Sequence, residues 1–416
     1  MPGQAAANLA GPGLTLSFVL AAFVVILTGF SFAEFASRIP VIGGAYSYMY
    51  VVFGEFIAWL TGWFLLCEYM LAVASVASGW SAYFQGFLSY LHIQLPQALT
   101  AGLNLEKGTY FDLIAGLVVI FVVFWVLQEA KKALAFNNFM VWIKFGIIAL
   151  FIVVGVFFVK PSNWQPYLPF GVEGVIDGAA LVFFAFLGFD AIAMAAEEVV
   201  EPQKTVPRGM IGAIAISTVL YIIVTAILTG LVPYTKLGVN DPVAFAMRFL
   251  HLDLVGSIIS IGAILTLLTV TISMMYSLAR LVYAISKDGL LPISLNKVDA
   301  KTHTPVRATL VSGAVVFVFA TMFPLQILAE LTNIVALGYL IMMALGIIRL
   351  RQVVGDPKPG EFKVPFVPIF PLITVGFCIF LMVQLSLTTW IVFFISLVIG
   401  LGIYFGYGYK HSTLNK

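Results

Sequence analysis

The sequence predicts an all-α polytopic membrane protein, and two observations support this. Of the 416 residues, 62% are hydrophobic and only 10% are charged, whereas about a quarter of the residues of a soluble protein carry charge. Apolar stretches of roughly 20 residues, the length that crosses a bilayer as a helix, also recur along the whole chain between charges, prolines and polar loops. Both observations exclude a soluble globular protein.

The apolar stretches define eleven predicted membrane spans. They cover residues 13–37, 54–89, 112–128, 137–159, 175–197, 209–232, 254–284, 306–323, 327–349, 367–387 and 389–408. The second and seventh spans are longer than a bilayer requires, so we expect them to tilt or to project beyond it. The connecting loops contain no sign of a soluble domain, and the whole chain is expected to be one transmembrane domain.

The basic residues predict the orientation, because cytoplasmic loops carry the excess of lysine and arginine. Sixteen of the 21 basic residues fall on the side that also holds the C-terminus, four fall on the other side, and Lys144 lies within a span. The C-terminus is therefore expected in the cytoplasm of a cell whose plasma membrane the chain crosses. This polarity places Met1 outside without a signal peptide to carry it there. We therefore expect one helix to be missing from the start.

The fifth span is interrupted by the string VFFAFLGFD, Val182 to Asp190. Gly188 loosens the helix, and the Asp190 carboxylate in the middle of a span costs about 2.5–3.5 kcal/mol unless it faces a cavity or finds partners. A broken helix there would present carbonyl groups at one end and amide groups at the other, which suits a zwitterion such as an amino acid. Alternatively, Gly188 is a packing contact and Asp190 is the N-cap of the next helix.

Other classes of function receive little support from the residues. The two cysteines, Cys67 and Cys378, lie in apolar spans, and the four histidines are far apart, so no metal site is predicted. The chain has neither an HExxH motif nor a GxSxG turn, and we do not expect an enzyme. A net charge of +2 without charged blocks gives no indication of a nucleic-acid partner.

Several local strings are typical of one protein family. They are IPVIGGAYSYMY (39–50), GWFLLCEY (62–69), NNFMVWIKFG (137–146), FFAFLGFDAIAMAAEEVVEPQKTVPRG (183–209) and SKDGLLP (286–292). The chain resembles bacterial amino acid permeases of the amino acid, polyamine and organocation (APC) superfamily, most closely the cationic amino acid transporter-like group. The resemblance extends over essentially all 416 residues.

The resemblance implies the leucine-transporter-like fold, in which two inverted five-helix repeats are followed by two trailing helices. Eleven of the twelve transmembrane helices would then be present. The expected parts are a remnant of the first helix at 1–11, the rest of the first repeat at 12–160, the second repeat at 175–350 and the trailing helices at 367–408.

The resemblance also implies a substrate site at the break. Phe184 would be an aromatic gate, and the carbonyl groups near Phe184, Ala185 and Leu187 would bind the substrate ammonium. Ala72 would line the side-chain pocket. The amide groups that bind the carboxylate in the family belong to a helix that precedes this chain. For Phe184 alone, a lipid-facing or core aromatic is the alternative.

Two charged residues inside spans have a functional and a structural interpretation. Lys144, about 9 Å from a helix start near Asn138, either snorkels to the interface or takes up and releases the coupling proton, the role that the resemblance implies. Glu68 either lines the cavity or is a buried carboxyl bonded to a neighbouring helix. No cofactor is expected beyond the proton as coupling ion.

The expected function is a secondary active transporter that imports an amino acid by alternating access, driven by protons. Ala72 and Leu187 favour a neutral or hydrophobic substrate, while Glu68 leaves a cationic one open. The alternatives are a polyamine or organocation transporter, or an inactive, truncated permease or sensor. The expected partners are the amino acid and the lipid bilayer, and a small membrane subunit is left open.

Overall fold

The computed structural model describes residues 1–39, 44–128, 130–194, 199, 201–299 and 304–413. Within these ranges the regular structure is helical, apart from one isolated β-bridge between Asn104 and Thr109. The predicted all-α fold class is therefore confirmed.

The helices follow one another along the chain as a series of long apolar rods joined by short segments. The α-helices are α1 (Pro2–Ala5), α2 (Leu14–Arg38), α3 (Ala45–Phe53), α4 (Glu55–Tyr90), α5 (Leu113–Gln128), α6 (Ala130–Val156), α7 (Gly171–Val182), α8 (Ala191–Met194), α9 (Pro202–Leu231), α10 (Pro242–Phe249), α11 (Asp253–Lys287), α12 (Val306–Met322), α13 (Leu325–Val354), α14 (Ile369–Val383), α15 (Leu387–Ile403) and α16 (Tyr409–His411).

Ten apolar helical segments and the pair α7 and α8 correspond in the described ranges to the eleven predicted spans. In the described ranges, six helices are long and apolar enough to cross a membrane: Pro2–Arg38, Glu55–Ser89, Pro202–Leu231, Asp253–Lys287, Leu325–Val354 and Leu387–His411. Four shorter apolar helices accompany them: Leu113–Gln128, Met140–Val156, Val306–Met322 and Ile369–Val383. The remaining span is the interrupted pair α7 and α8. The chain is a multi-pass membrane protein.

Two predicted boundaries were wrong because charges and prolines mark the end of an apolar stretch but not the end of a helix. Helix α6 begins at Ala130 rather than at residue 137, and α9 begins at Pro202 rather than at residue 209. A proline in the first helical position loses no hydrogen bond, because the N–H groups of the first turn have no partner within the helix. Both helices therefore extend beyond their apolar parts.

The N-terminal segment 1–13 lies against α7, where two glycines allow close approach. A Cβ atom added at Gly174 would collide with the carbonyl oxygen of Leu9, and one added at Gly178 would lie 2.6 Å from the Oγ atom of Ser17. Ser17 also donates a hydrogen bond of 2.8 Å to the carbonyl of Val175. The start of the chain is thereby fixed beside the first half of the interrupted helix.

Candidate functional site

The interrupted helix changes conformation over eight residues. After α7 ends at Val182, Phe183–Phe186 form a 3-10 turn, Leu187 is extended with φ −62° and ψ 146°, and Gly188 has φ +101°. Helix α8 then begins at Ala191. The chain therefore leaves helical geometry in the middle of an apolar span.

Gly188 has a backbone conformation that favours glycine. A φ of +101° lies in the region that residues with a side chain rarely adopt. Among the described residues other than its two chain neighbours, no heavy atom lies within 4 Å of the position that an added Cβ would occupy. The glycine therefore permits the break itself, and the described residues give no support to the alternative of a packing contact.

Asp190 is nearly inaccessible, with 3% of its surface exposed. Its carboxylate accepts hydrogen bonds from the backbone N–H of Ala191 and from the hydroxyl of Tyr69 on α4. Ala191 is the first residue of α8, whereas an N-cap side chain accepts from the second or third, so this bond differs from the one that the N-cap alternative predicts. The second bond joins the start of α8 to α4.

The three carbonyl groups predicted to bind an ammonium group differ in their present partners. The Phe184 carbonyl accepts a hydrogen bond of 3.2 Å from the backbone N–H of Leu187. The Ala185 carbonyl accepts one of 2.6 Å from the hydroxyl of Tyr221 on α9. Within the part of the chain that the structure describes, nothing donates to the Leu187 carbonyl. Their role in substrate binding stays a prediction.

The Phe184 side chain is half-buried, which fits a gate that is neither part of the closed core nor fully turned to lipid. Phe183 beside it is completely buried, and Phe186 packs edge-on against Tyr221 with ring centroids 5.1 Å apart. The three neighbouring phenylalanines therefore have different surroundings, a difference that the sequence alone does not reveal.

Glu68 and Ala72 lie one turn apart on α4, and both are buried, with 2% and 1% exposure. Glu68 is close enough to Asp190 and to Tyr339 of α13 for electrostatic interaction. The carboxyl group of Glu68 and the hydroxyl of Tyr339 face each other across α4 and α13, and among the described residues neither has another side-chain hydrogen-bond partner. The α4 side chains thus bring a buried carboxyl group to the break.

Lys144 lies on the side of α6 that faces α11. Ile147, one turn further along, packs so tightly on Gly262 of α11 that a Cβ there would collide with it. The Lys144 side chain is half-buried and forms no ion pair within the described ranges. Because α6 begins at Ala130, Lys144 lies about 21 Å along the helix rather than the predicted 9 Å. The structure does not place it beside the break.

Sequence reasoning missed three groups that partner the polar atoms of the break. They are Tyr69, Tyr221 and Asn333, which come from α4, α9 and α13. Of these, only Asn333 carried a signal, because an amide side chain in the middle of a span needs hydrogen-bonding partners. The two tyrosines are not distinguishable from the other 14 in the chain without the fold.

The chain is similar in sequence to membrane permeases along almost its whole length. The profile of the amino acid permease family matches residues 1–404. A methylthioribose transporter of Bacillus subtilis is 45% identical over 414 residues, covering 100% of this chain and 90% of that protein. The branched-chain amino acid permease BcaP of the same organism is 44% identical, covering 98% of this chain and 88% of the relative. The BcaP of Lactococcus lactis is 34% identical, covering 99% and 90%.

Proposed function

The chain belongs to the amino acid permease family, and from that premise we propose that it imports a neutral, hydrophobic amino acid across the plasma membrane by alternating access. The resemblance drawn from its local strings is confirmed by the family match, which also indicates a transporter rather than an enzyme. We further propose that transport is coupled to protons and that the C-terminus is cytoplasmic, as the distribution of basic residues predicts.

One observation carries the proposal: a polar helix break in the interior of an apolar bundle. The 3-10 turn Phe183–Phe186 ends the first half-helix, and the carbonyl groups at such a helix end carry partial negative charge. This partial negative charge attracts an ammonium group, whereas a helix that only crosses the bilayer does not need such a break. The Leu187 carbonyl would be the first to receive the substrate, and the Ala185 carbonyl would do so after release from Tyr221.

The surroundings favour a substrate with an apolar side chain. Ala72 is small and fully buried, and Leu187 lies at the break itself, so both would offer apolar contacts to a substrate side chain. Two relatives are named as branched-chain amino acid permeases, which fits an apolar substrate side chain. Glu68 is the single carboxyl group of α4 near the break, and it would be needed for a cationic substrate.

A second candidate substrate is methylthioribose, which is favoured by the relative of that name at 45% identity. This neutral thio-sugar has no ammonium group, so the negative pole of the break would contribute less to its binding than to that of an amino acid. An amino acid transporter should therefore bind leucine more tightly than methylthioribose, and a methylthioribose transporter should show the reverse order.

Uptake into proteoliposomes tests the proposal directly. Radiolabelled leucine should accumulate and should be displaced by unlabelled valine and isoleucine, but not by arginine, putrescine or methylthioribose. Accumulation of methylthioribose with no leucine uptake would establish the second candidate instead. Phe184→Ala should raise the KM for leucine several-fold, whereas Phe124→Ala, at a position 60% exposed on α5, should leave it unchanged. An unchanged KM in Phe184→Ala would show that the ring is only packing.

The coupling role of Lys144 requires a separate measurement. Lys144→Ala should abolish accumulation driven by an imposed pH gradient while leaving exchange of internal for external leucine. Lys160→Ala, which removes an exposed lysine from the loop after α6, is the matched control and should accumulate leucine normally. Normal accumulation by Lys144→Ala at every pH gradient would exclude this residue as the coupling group.

A further inference from the structure

The end of α7 is held by one side chain from another helix. Asn333 of α13 is completely buried, and its Nδ2 atom donates hydrogen bonds of 2.7 Å to the carbonyl of Ala180 and 3.1 Å to the carbonyl of Leu181. Both carbonyls belong to the last turn of α7, immediately before the 3-10 turn. The contact therefore joins α13 to the exact point where the helix changes geometry.

The chemistry of this contact fits the requirement of a broken helix. The last four carbonyl groups of an α-helix have no partner within the helix, and in an apolar bundle water is not there to replace one. The carbonyl of Ala179 is bonded by the N–H of Phe183, which leaves the next two in need of donors. A primary amide has two N–H groups on one nitrogen, so Asn333 can satisfy both.

The same amide also presents an acceptor. Its Oδ1 atom is buried and has no hydrogen-bond partner within the described residues. Such an acceptor is unfavourable wherever nothing donates to it, so a substrate ammonium that approached the end of the half-helix would offer a donor to this oxygen as well.

Helix α13 also reaches the second half of the break. Tyr339, six residues or about 9 Å beyond Asn333, approaches the second half of the break, where it interacts electrostatically with Asp190. Its ring also packs edge-on against Phe32, which in turn packs against Phe189. One continuous helix thus contacts both sides of the interruption and provides a fixed reference for its geometry.

We propose that Asn333 is a positioning residue of the substrate site. By neutralising the carbonyls of Ala180 and Leu181, it sets the position at which α7 ends, so that the carbonyls of the following turn are the ones available to a substrate ammonium. This role rests on the proposed transport function, but its structural part can be measured independently of transport.

The test compares Asn333→Leu with Thr332→Val in the full chain reconstituted in lipid nanodiscs and proteoliposomes. Thr332 is the matched control because it is equally buried and adjacent, but among the described residues its hydroxyl donates only within α13, to the Leu328 carbonyl. Asn333→Leu should accelerate hydrogen exchange of the amides at 183–190 and should raise the KM for leucine about tenfold or more, with a smaller change in kcat. Thr332→Val should change neither by more than about twofold.

Other outcomes decide the proposal as well. General destabilisation would lower the amount of active protein and hence the maximal rate, without moving KM. Wild-type exchange at 183–190 together with an unchanged KM in Asn333→Leu would overturn the positioning role. If the wild-type chain took up no amino acid, the proposed function would fail, while the exchange data would still decide whether Asn333 holds the break. Should Asn333→Leu fail to elute as a single species, Asn333→Ser is measured against the same criteria.

Discussion

The carboxylate of Glu34 holds two arginines in the interior at one end of the bundle. Glu34 is 0% exposed, and its Oε1 atom accepts hydrogen bonds from Arg38 Nη1 at 3.1 Å and Arg351 Nε at 3.2 Å. Its Oε2 atom accepts bonds from Arg351 Nη2 at 2.8 Å and from the backbone N–H of Val364 at 2.7 Å. One side chain therefore joins α2, α13 and the segment that follows α13.

Glu34→Gln keeps the volume of this side chain but should destabilise the protein strongly. In the wild-type protein each carboxylate oxygen of Glu34 accepts from two donors. The NH2 group of a glutamine in either position would therefore face donors instead of acceptors. The guanidinium groups of Arg38 and Arg351, with 3% and 13% of their side chains exposed, would lose their shared counter-ion. Removing one partner of a buried ion pair costs about 3–5 kcal/mol. We expect the unfolding temperature in detergent to fall by several degrees.

An exposed ion pair in the same chain provides the control. Lys204 and Glu201 lie 3.4 Å apart with 54% and 65% of their side chains exposed, so Glu201→Gln should change stability by no more than about 0.5 kcal/mol. Adding Arg351→Gln to Glu34→Gln should recover part of the loss, because it removes one of the two cations that lose their buried counter-ion. Equal unfolding temperatures for Glu34→Gln and Glu201→Gln would refute the reasoning.

Two further predictions concern the break and the ion pair between Asp241 and Arg248 at α10. Gly188→Ala should cost about 1–2 kcal/mol of stability and reduce transport, because its φ of +101° strains any side chain. Gly209→Ala, with equally open space but within α9, should be neutral or stabilising, and equal unfolding temperatures would contradict the strain argument. Burial raises the pKa of Asp241 while Arg248 beside it opposes the shift. A folded-state pKa above the ordinary value gives stability that is present in acid and is lost as pH rises through the folded pKa. Arg248→Met enlarges this shift, so its loss of thermal stability should be greater at neutral than at mildly acidic pH. A pH-independent loss would contradict this.

The positions of the spans and of the break could be predicted because the signals are local. An apolar stretch must bury its backbone polar groups in a helix, so composition alone locates the helices within a membrane. Gly188 followed by Asp190 locates the break, because the glycine permits the backbone change and a carboxylate in the middle of an apolar span needs polar partners there. Helix ends were predicted less well, since charged residues let a helix such as α6 continue into the polar region.

The partners of the break could not be predicted, because they lie far apart in sequence. Tyr69 is separated from Asp190 by 121 residues, and Asn333 from Ala180 by 153. Nothing near Tyr69 or Tyr221 indicates which of the chain's tyrosines reaches the break. The predicted distance of Lys144 from the start of its helix was too short for a related reason, since it depended on where α6 starts and not on its apolar content.

The carbonyl groups of the break fall into two sets: those of Ala180 and Leu181 are held by Asn333, and those of Ala185 and Leu187 can change partners. Asn333 satisfies the inner carbonyls of α7 with bonds from a fully buried side chain, and no substrate could displace it without unwinding the helix. The Ala185 carbonyl, in contrast, is bonded by the hydroxyl of Tyr221, a group that an ammonium can replace by rotation of the side chain. The Leu187 carbonyl needs no displacement at all. A substrate ammonium would therefore bind first at Leu187 and then exchange with Tyr221 at Ala185, which would release α9 from the break as binding is completed.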